Sequence, residues 1–397
     1  MRGRGKHTIL FGLVTTLYWF SYYAYVPILS PYAKSMGASY KMVGLIAGSY
    51  GFAQMAVRLP MGVLSDTLRR RKAFVVAGLV LAVVSGLGLF ASSDPFWLLV
   101  FRFLSGVGAA AWLAFTVLYA SYFDPAEAPK AIGILNSLNF VGQMCGTFLG
   151  GIVAAASGQR TPFLLGAVGG AIGLAMSLAT LEVRPTSKPR SAKDLLKVGA
   201  DRHLLSVSGL GIAVQIVAYG TVYGFAPVAA KDLGATDFQL GILTTIATVP
   251  MAVSSALSGS WFAKKLGEAF TVSFGFAILA FSAIAVPFAH SVESLYISQG
   301  IGGFGRGLVL PLLMGISIKD VAAEKRGTAM GIFQAMYAFG MFIGPMIVGL
   351  IADTVGLTQG FWTLGLIGLV SAAATLGLLR VAPAAVKRAA SSASSAS

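Results

Sequence analysis

Apolar residues in this chain fall in long runs bounded by charge, Pro or Gly. The runs cover residues 8–30, 42–65, 73–92, 97–121, 132–155, 162–181, 204–229, 238–261, 269–289, 294–316, 328–351 and 359–380. Each is close to the roughly 20 residues that a helix needs to cross the hydrocarbon core of a bilayer. The pattern predicts an all-α polytopic membrane protein of twelve transmembrane helices joined by short loops.

Composition agrees and narrows the alternatives. Hydrophobic residues make up 56% of the 397 and charged residues only 11%. A soluble domain this apolar could not cover its own surface, which excludes an ordinary soluble enzyme. Twelve spans consume about 240 residues, which leaves no stretch for a sizeable soluble domain. The one cysteine, Cys145, excludes an internal disulfide. The basic start, Met1 to Lys6, leads into the first run without a small-residue cleavage pattern, so that run is read as a retained helix.

The net charge of +15 would suggest nucleic acid in a soluble protein. Here its location decides. The loops on the side of the two termini, with the termini themselves, hold 22 of the 29 Lys and Arg, and the other side holds Lys34, Lys41, Arg160 and Lys231. The positive-inside rule therefore predicts a plasma-membrane (cell inner membrane) protein with both termini cytoplasmic. Membrane lipids and a small-molecule substrate are the expected partners, nucleic acid is not, and a monomer is expected. The most charged connection, residues 182–203, divides the chain into an N-terminal half, 1–181, and a C-terminal half, 204–380. The remaining tail, 381–397, ends in Ala and Ser only and is predicted to be disordered.

The halves repeat. At an offset of 197, Ala33-Lys34 falls on Ala230-Lys231, and Gly37, Gly44, Gly62, Gly106 and Gly108 fall on Gly234, Gly241, Gly259, Gly303 and Gly305. At 198, Gly133, Gly142, Gly146 and Gly151 fall on Gly331, Gly340, Gly344 and Gly349. Two repeated six-helix halves imply a pseudo-twofold axis along the membrane normal with a site between them.

Three stretches carry a family resemblance. Gly62-Val-Leu-Ser-Asp66-Thr-Leu-Arg-Arg70-Arg71-Lys72 resembles the loop motif G-x-L-x-D-x-x-G-R-[KR] of the major facilitator superfamily, with Arg69 in place of its second glycine. Arg102-Phe-Leu-Ser-Gly106-Val-Gly108 resembles the R-x-x-x-G-x-G motif of span four. Gly133, Gly142, Gly146 and Gly150-Gly151 resemble the glycine pattern of the family's antiporters, with Thr147 where that pattern has proline; Gly344-Pro345 keeps the proline. The resemblance implies a secondary transporter working by alternating access. It implies that spans one, four, seven and ten line a central cavity, flanked by two, five, eight and eleven. It also implies that Asp66, Arg70 and Arg71, with Asp124, latch the cytoplasmic gate.

Arg58, Gly62 and Asp66 are four apart and share a helix face, so Arg58 and Gly62 join that gating set. Arg102 and Arg306 also lie inside spans; a charge costs ~3 kcal/mol there on insertion scales, so each needs a partner or a cavity. Matching polar stripes appear at repeat positions. Tyr18 and Tyr22 in span one align with Gln215 and Tyr219, followed by Tyr223, in span seven. Asn136, Asn139 and Gln143 in span five align with Gln334, Tyr337 and Met341 in span eleven. With Trp112, Arg102 and its repeat counterpart Gln299, and Arg306, these are the expected substrate-binding residues.

All 14 Asp and Glu can be assigned to loops or span ends. Coupling to protons or a counter-ion would fall to an edge acid or to Arg102, and the cavity is expected to be net positive. No phosphate-binding loop, metal cluster or nucleophile elbow is present in the sequence, so no cofactor and no enzymatic activity are expected. Efflux of small amphipathic compounds is the leading expectation, with proton-linked antiport as the coupling. Uptake, exchange or facilitated diffusion of an organic anion is the alternative, and a non-transporting membrane receptor the rival of another class.

Overall fold

A computed structural model describes residues 2–124, 127–183, 198–322 and 325–394, with side chains described except at 2–4, 66, 129 and 380–394. The described residues form helices and no strands. Helix α1 runs Arg2–Tyr23 and continues as Val26–Ser35; α2 is Tyr40–Leu68, α3 Arg71–Ala91, α4 Pro95–Ala109 continued by Trp112–Ala120, α5 Ala128–Ser157 and α6 Thr161–Leu178. In the second half α7 runs Arg202–Gly220, passes a π-helical turn at Thr221–Phe225 and continues as Ala226–Asp232. Helix α8 is Asp237–Leu257 with its extension to Leu266, α9 Glu268–Ala285, α10 Val292–Lys319, α11 Arg326–Thr354 and α12 Leu357–Ser394.

Eleven of these are long and apolar enough to cross a membrane. The other long helix, α2, has 29 residues and packs on α4 and α11 within the bundle. It buries Gln54 and Arg58, and these polar residues face protein.

Local sequence sets the boundaries. Asp94 accepts hydrogen bonds from the amides of Phe96 (2.9 Å) and Trp97 (3.4 Å) at the start of α4, and Asp201 from Leu204 (2.8 Å) at the start of α7. Thr236 with Gln239, and Ser291 with Ser294, form reciprocal capping boxes on α8 and α10. Gly37 and Gly234, a repeat pair, turn the chain at the same left-handed φ of +85°. The breaks in α1 and α7 also coincide in the repeat. After each, a proline without an amide hydrogen, Pro27 or Pro227, starts the continuing helix.

The predicted twelve spans are all present. Helix α12 runs on to Ser394, in keeping with the helix propensity of its alanines. Most of the connection at 182–203 lies outside the described residues.

The halves meet along two seams, α2 on α11 and α5 on α8. Along the first, Gly44, Gly48 and Gly51 leave no space for a Cβ against Pro345, Phe342 and Met341. At the second, a Cβ on Gly151 would come within 2.8 Å of the Gly241 Cα. The glycines of α5 and α11 thus serve close packing. Gly142 and Gly146 receive α1, and their repeat partners Gly340 and Gly344 receive α7.

Candidate functional site

Between the halves lies a cavity of about 790 Å³. Helices α1, α2, α4 and α5 of the first half and α7, α8, α10 and α11 of the second line it. Its walls are the parts of α2, α5, α8, α10 and α11 nearest the face that bears both termini. On the opposite face the bundle is shut. Thr147 and Thr245 hydroxyls are 3.0 Å apart across α5 and α8, Gln159 donates to Asp237 (2.9 Å), and the Tyr23 and Tyr223 rings meet at 5.9 Å.

Arg306 of α10 is the charged centre of the second half. Its guanidinium donates to the Tyr223 hydroxyl (2.9 Å) and to Gln215 Oε1 (3.1 Å), and lies 5.8 Å from the centre of the Tyr219 ring. Gln215 and Tyr219 are four apart on α7, so one helix face presents both. The arginine is 9% exposed, and its Nε has no hydrogen-bond partner. Arg58 of α2 is the counterpart from the first half. It donates to Gln54 Oε1 on its own helix and, across the seam, to the Tyr337 hydroxyl (3.3 Å) and the Gln334 carbonyl (3.4 Å). No Asp or Glu is among the described residues that line the cavity. A guanidinium stays charged at any physiological pH, so this chamber is net positive.

The rest of the wall is aromatic, amide and methionine. Trp19 and Trp112 meet edge to face at 5.2 Å. On α5 Gln143 donates to Asn139 (2.6 Å), and Asn136 lies one turn nearer the mouth.

Of the expected binding residues, Trp112, Asn136, Asn139, Gln143, Gln215, Tyr219, Arg306, Gln334 and Tyr337 line this cavity, and Tyr223 holds Arg306. Four others are placed elsewhere. The Tyr18 hydroxyl donates to the Gly108 carbonyl (2.8 Å) and that of Tyr22 to the Gly78 carbonyl (2.8 Å), so both rings tie α1 to its own half. Arg102 is buried against the Tyr50 ring (4.2 Å) and outside the cavity lining. Gln299 is 0% exposed, and its amide reaches Ser298 at 3.3 Å. Trp19 and Tyr23, one residue beyond each expected tyrosine, take the cavity positions on α1. The repeat explains the difference. Offset 197 puts Ala109 where Arg306 stands, so nothing on α4 draws the span-one residue inward, and Tyr18 reaches to a backbone carbonyl instead.

In the expected gating set, Arg58 belongs to the cavity wall. Gly62 lets Leu113 approach, with only 2.7 Å left for a Cβ. The side chain of Asp66 lies outside the described residues. Arg70 is the exposed residue before α3, and Asp124 is exposed at the end of α4. The amides of Arg71 and Lys72 donate to the Glu182 carboxylate at 3.0 Å each, which anchors the loop to α6 of the same half. Sequence reasoning missed Glu182 as a partner, along with Gln54, Tyr50 and Met251 of the wall; Gln54 could have been found by its four-residue spacing from Arg58.

The sequence model of the Major Facilitator Superfamily matches residues 11–225 and again 208–396, one match per half. The chain belongs to the major facilitator superfamily. It is a multi-pass membrane transporter of the secondary type. An uncharacterized MFS-type transporter of Methanocaldococcus jannaschii is 27% identical over 351 residues, 84% of this chain and 88% of that protein. The multi-drug resistance efflux pump PmrA of Streptococcus pneumoniae is 26% identical over 360 residues, 86% of this chain and 88% of the pump. In fold, the chain is similar to a bacterial homolog of the human lysosomal transporter Spinster in an inward-facing, unoccupied conformation. The TM-score is 0.77, at 17% identity over 95% of this chain and 97% of that one.

Proposed function

We propose that this transporter exports small amphipathic compounds across the plasma membrane by alternating access. The chamber of about 790 Å³ between the halves carries the reading. It joins an aromatic wall, Trp19, Tyr23, Trp112 and Tyr219, to polar groups on α5, α7 and α11, as an amphipathic ligand requires. The basic loops support a cytoplasmic placement of the terminus-bearing face; the chamber would then be open inward, in the state that loads an exported compound. Closure of α5 and α8 at the terminus-bearing face with separation at Thr147 and Thr245 would turn it outward. Similarity to a multi-drug efflux pump over 86% of the chain supports export.

Coupling is proposed to be proton antiport through acids outside the cavity lining, Asp66 or Asp124, or through Arg102. A specific observation favours a second reading. The two cavity arginines without a lining acid would suit uptake or exchange of an organic anion. Direction separates the readings. Inside-out vesicles containing the protein should accumulate a fluorescent amphipathic dye when acidified inside, and lose the accumulated dye when the gradient is collapsed. Accumulation only in right-side-out vesicles would overturn export. Counterflow unchanged across pH gradients would overturn proton coupling.

A further inference from the structure

We propose that the ligand of this chamber is an amphiphilic anion, and that it enters sideways from the inner leaflet through a slot between α5 and α8. The inference rests on the transport reading above and names the substrate class of the same cavity.

Charge is the first argument. Arg58 and Arg306 are 2% and 9% exposed, and neutral groups alone hold them: amides, phenols and a carbonyl. Both leave Nε without a hydrogen-bond partner. A buried guanidinium normally faces a carboxylate, because an uncompensated charge there is costly. With no acid among the described lining residues, the compensating charge must arrive with the ligand.

The rest of the ligand is apolar. Beyond the arginines the walls offer Trp19, Trp112, Met144, Met251, Met314 and Met341. Unbranched, polarizable methionines accommodate chains of variable shape.

The route follows from the asymmetry of the two seams. Helices α2 and α11 stay in contact along their length, from the Asp353 carboxylate on the Tyr40 amide to Arg58 on Gln334. Helices α5 and α8 meet at the far end, where Thr147 faces Thr245, and nearer the termini both line the cavity. Ile134 and Val141 on α5 line the cavity and are 38% and 48% exposed, and Ala256, which lines it from α8, is exposed as well. A Cβ on Gly133, lower on the same helix, would meet nothing within 4 Å. From Thr147 to Gly133 the slot runs about 21 Å by helical rise, longer than one leaflet's hydrocarbon depth of about 15 Å. An amphiphile resting in that leaflet can thus slide its head group toward Arg306 while its chain stays in the bilayer.

The test uses the full-length protein in zwitterionic nanodiscs and three fluorescent probes: 11-(dansylamino)undecanoate, its methyl ester, and the matching trimethylammonium compound. The anion should bind at least about ten-fold tighter than the other two. Arg306→Gln should abolish that preference and Arg306→Lys should keep most of it, with Arg58→Gln giving the same test if the first variant fails to fold. Equal binding of the three probes, or an undiminished preference in the folded Gln variants, overturns the anion. Val249→Trp, at an exposed residue of α8 one turn from Thr245 and outside the cavity lining, should narrow the slot. Association of the undecanoate should slow about ten-fold, while dansylglycine, a water-soluble anion without a chain, should associate at the wild-type rate. Slowing of both probes alike, or of neither, overturns sideways entry. No gradient or flux enters these measurements. Anion-selective binding without export would sink only the export reading, and export without anion preference would sink only this inference.

Discussion

Asp353, at the end of α11, caps the start of α2 in the other half: its carboxylate accepts the amides of Tyr40 at 2.8 Å and Lys41 at 2.9 Å. An anion at a helix N-terminus is stabilised by the unpaired amides and the helix dipole. Lys34 lies over the Tyr40 ring at 3.7 Å and adds positive charge beside it. The contact joins the two halves on the shut face opposite the termini, so opening of that face would break it.

Asp353→Asn should therefore loosen the shut face without disturbing either half. The contact is solvent-exposed, so the loss is about 1 kcal/mol, a five-fold shift toward the state open on that face. A cysteine replacing Val222, buried by the closed face, would report it in a Cys145→Ser background. Its labelling by a membrane-impermeant maleimide should rise about five-fold in the Asn variant. An unchanged rate would remove Asp353 from the gate.

The Thr147–Thr245 contact offers a sharper test of alternating access. With hydroxyls 3.0 Å apart, a cysteine at each position is near enough for a disulfide. Thr147→Cys with Thr245→Cys, again without Cys145, should cross-link under mild oxidant and lock the protein with the chamber facing the termini. Transport should fall to background and return on reduction, while ligand binding survives. Full transport by the cross-linked protein would show that α5 and α8 need not separate here.

Around Arg306, Gln215 and Tyr223 supply the acceptors for two of its N–H groups. Gln215→Leu leaves one guanidinium edge buried and unpaired, which costs about 1–3 kcal/mol. Tyr223→Phe does the same on the other edge while keeping the ring. Both variants should melt several degrees lower, and an added anionic ligand should restore more of the loss than in wild type. If both melt like wild type, neither group is an essential partner of Arg306.

How far the sequence revealed these arrangements varied with the kind of signal. Apolar run length gave all twelve spans, because lipid permits few alternatives. The offset of 197 placed the paired turns at Gly37 and Gly234, since each glycine must adopt the same left-handed conformation. Asn136, Asn139, Gln334 and Tyr337 were legible as cavity residues because polar groups in a span must face protein or water. Span one was legible only in spacing. Its aromatic residues, Tyr18, Trp19, Phe20, Tyr22 and Tyr23, fall all round the helix, so spacing did not fix its rotation, and the wall fell to Trp19 and Tyr23 one residue on. Arg58 matched the loop motif by its four-residue spacing, but its actual partners come from α11, which no local pattern could announce. The α5–α8 slot depends on which of two seams stays closed, a property of tertiary packing that spacing does not encode.

Glu182 gives the last prediction, and it separates architecture from transport. Its carboxylate binds the amides of Arg71 and Lys72, while the Lys72 ammonium donates to the carbonyls of Leu178 (2.7 Å) and Thr180 (2.8 Å) at the end of α6. The loop between α2 and α3 is thus strapped to α6 of its own half, with positive φ at Arg69 turning the chain into α3. Glu182→Ala leaves two helix-start amides without their acceptor and should cost about 1 kcal/mol, as loss of a helix cap does. Because every partner lies in the first half, the two halves should still rock as units. The expected result is a lower melting temperature with the five-fold maleimide shift of Asp353→Asn absent. A variant that melts normally but changes labelling at Val222→Cys would mean that the loop takes part in gating through Glu182.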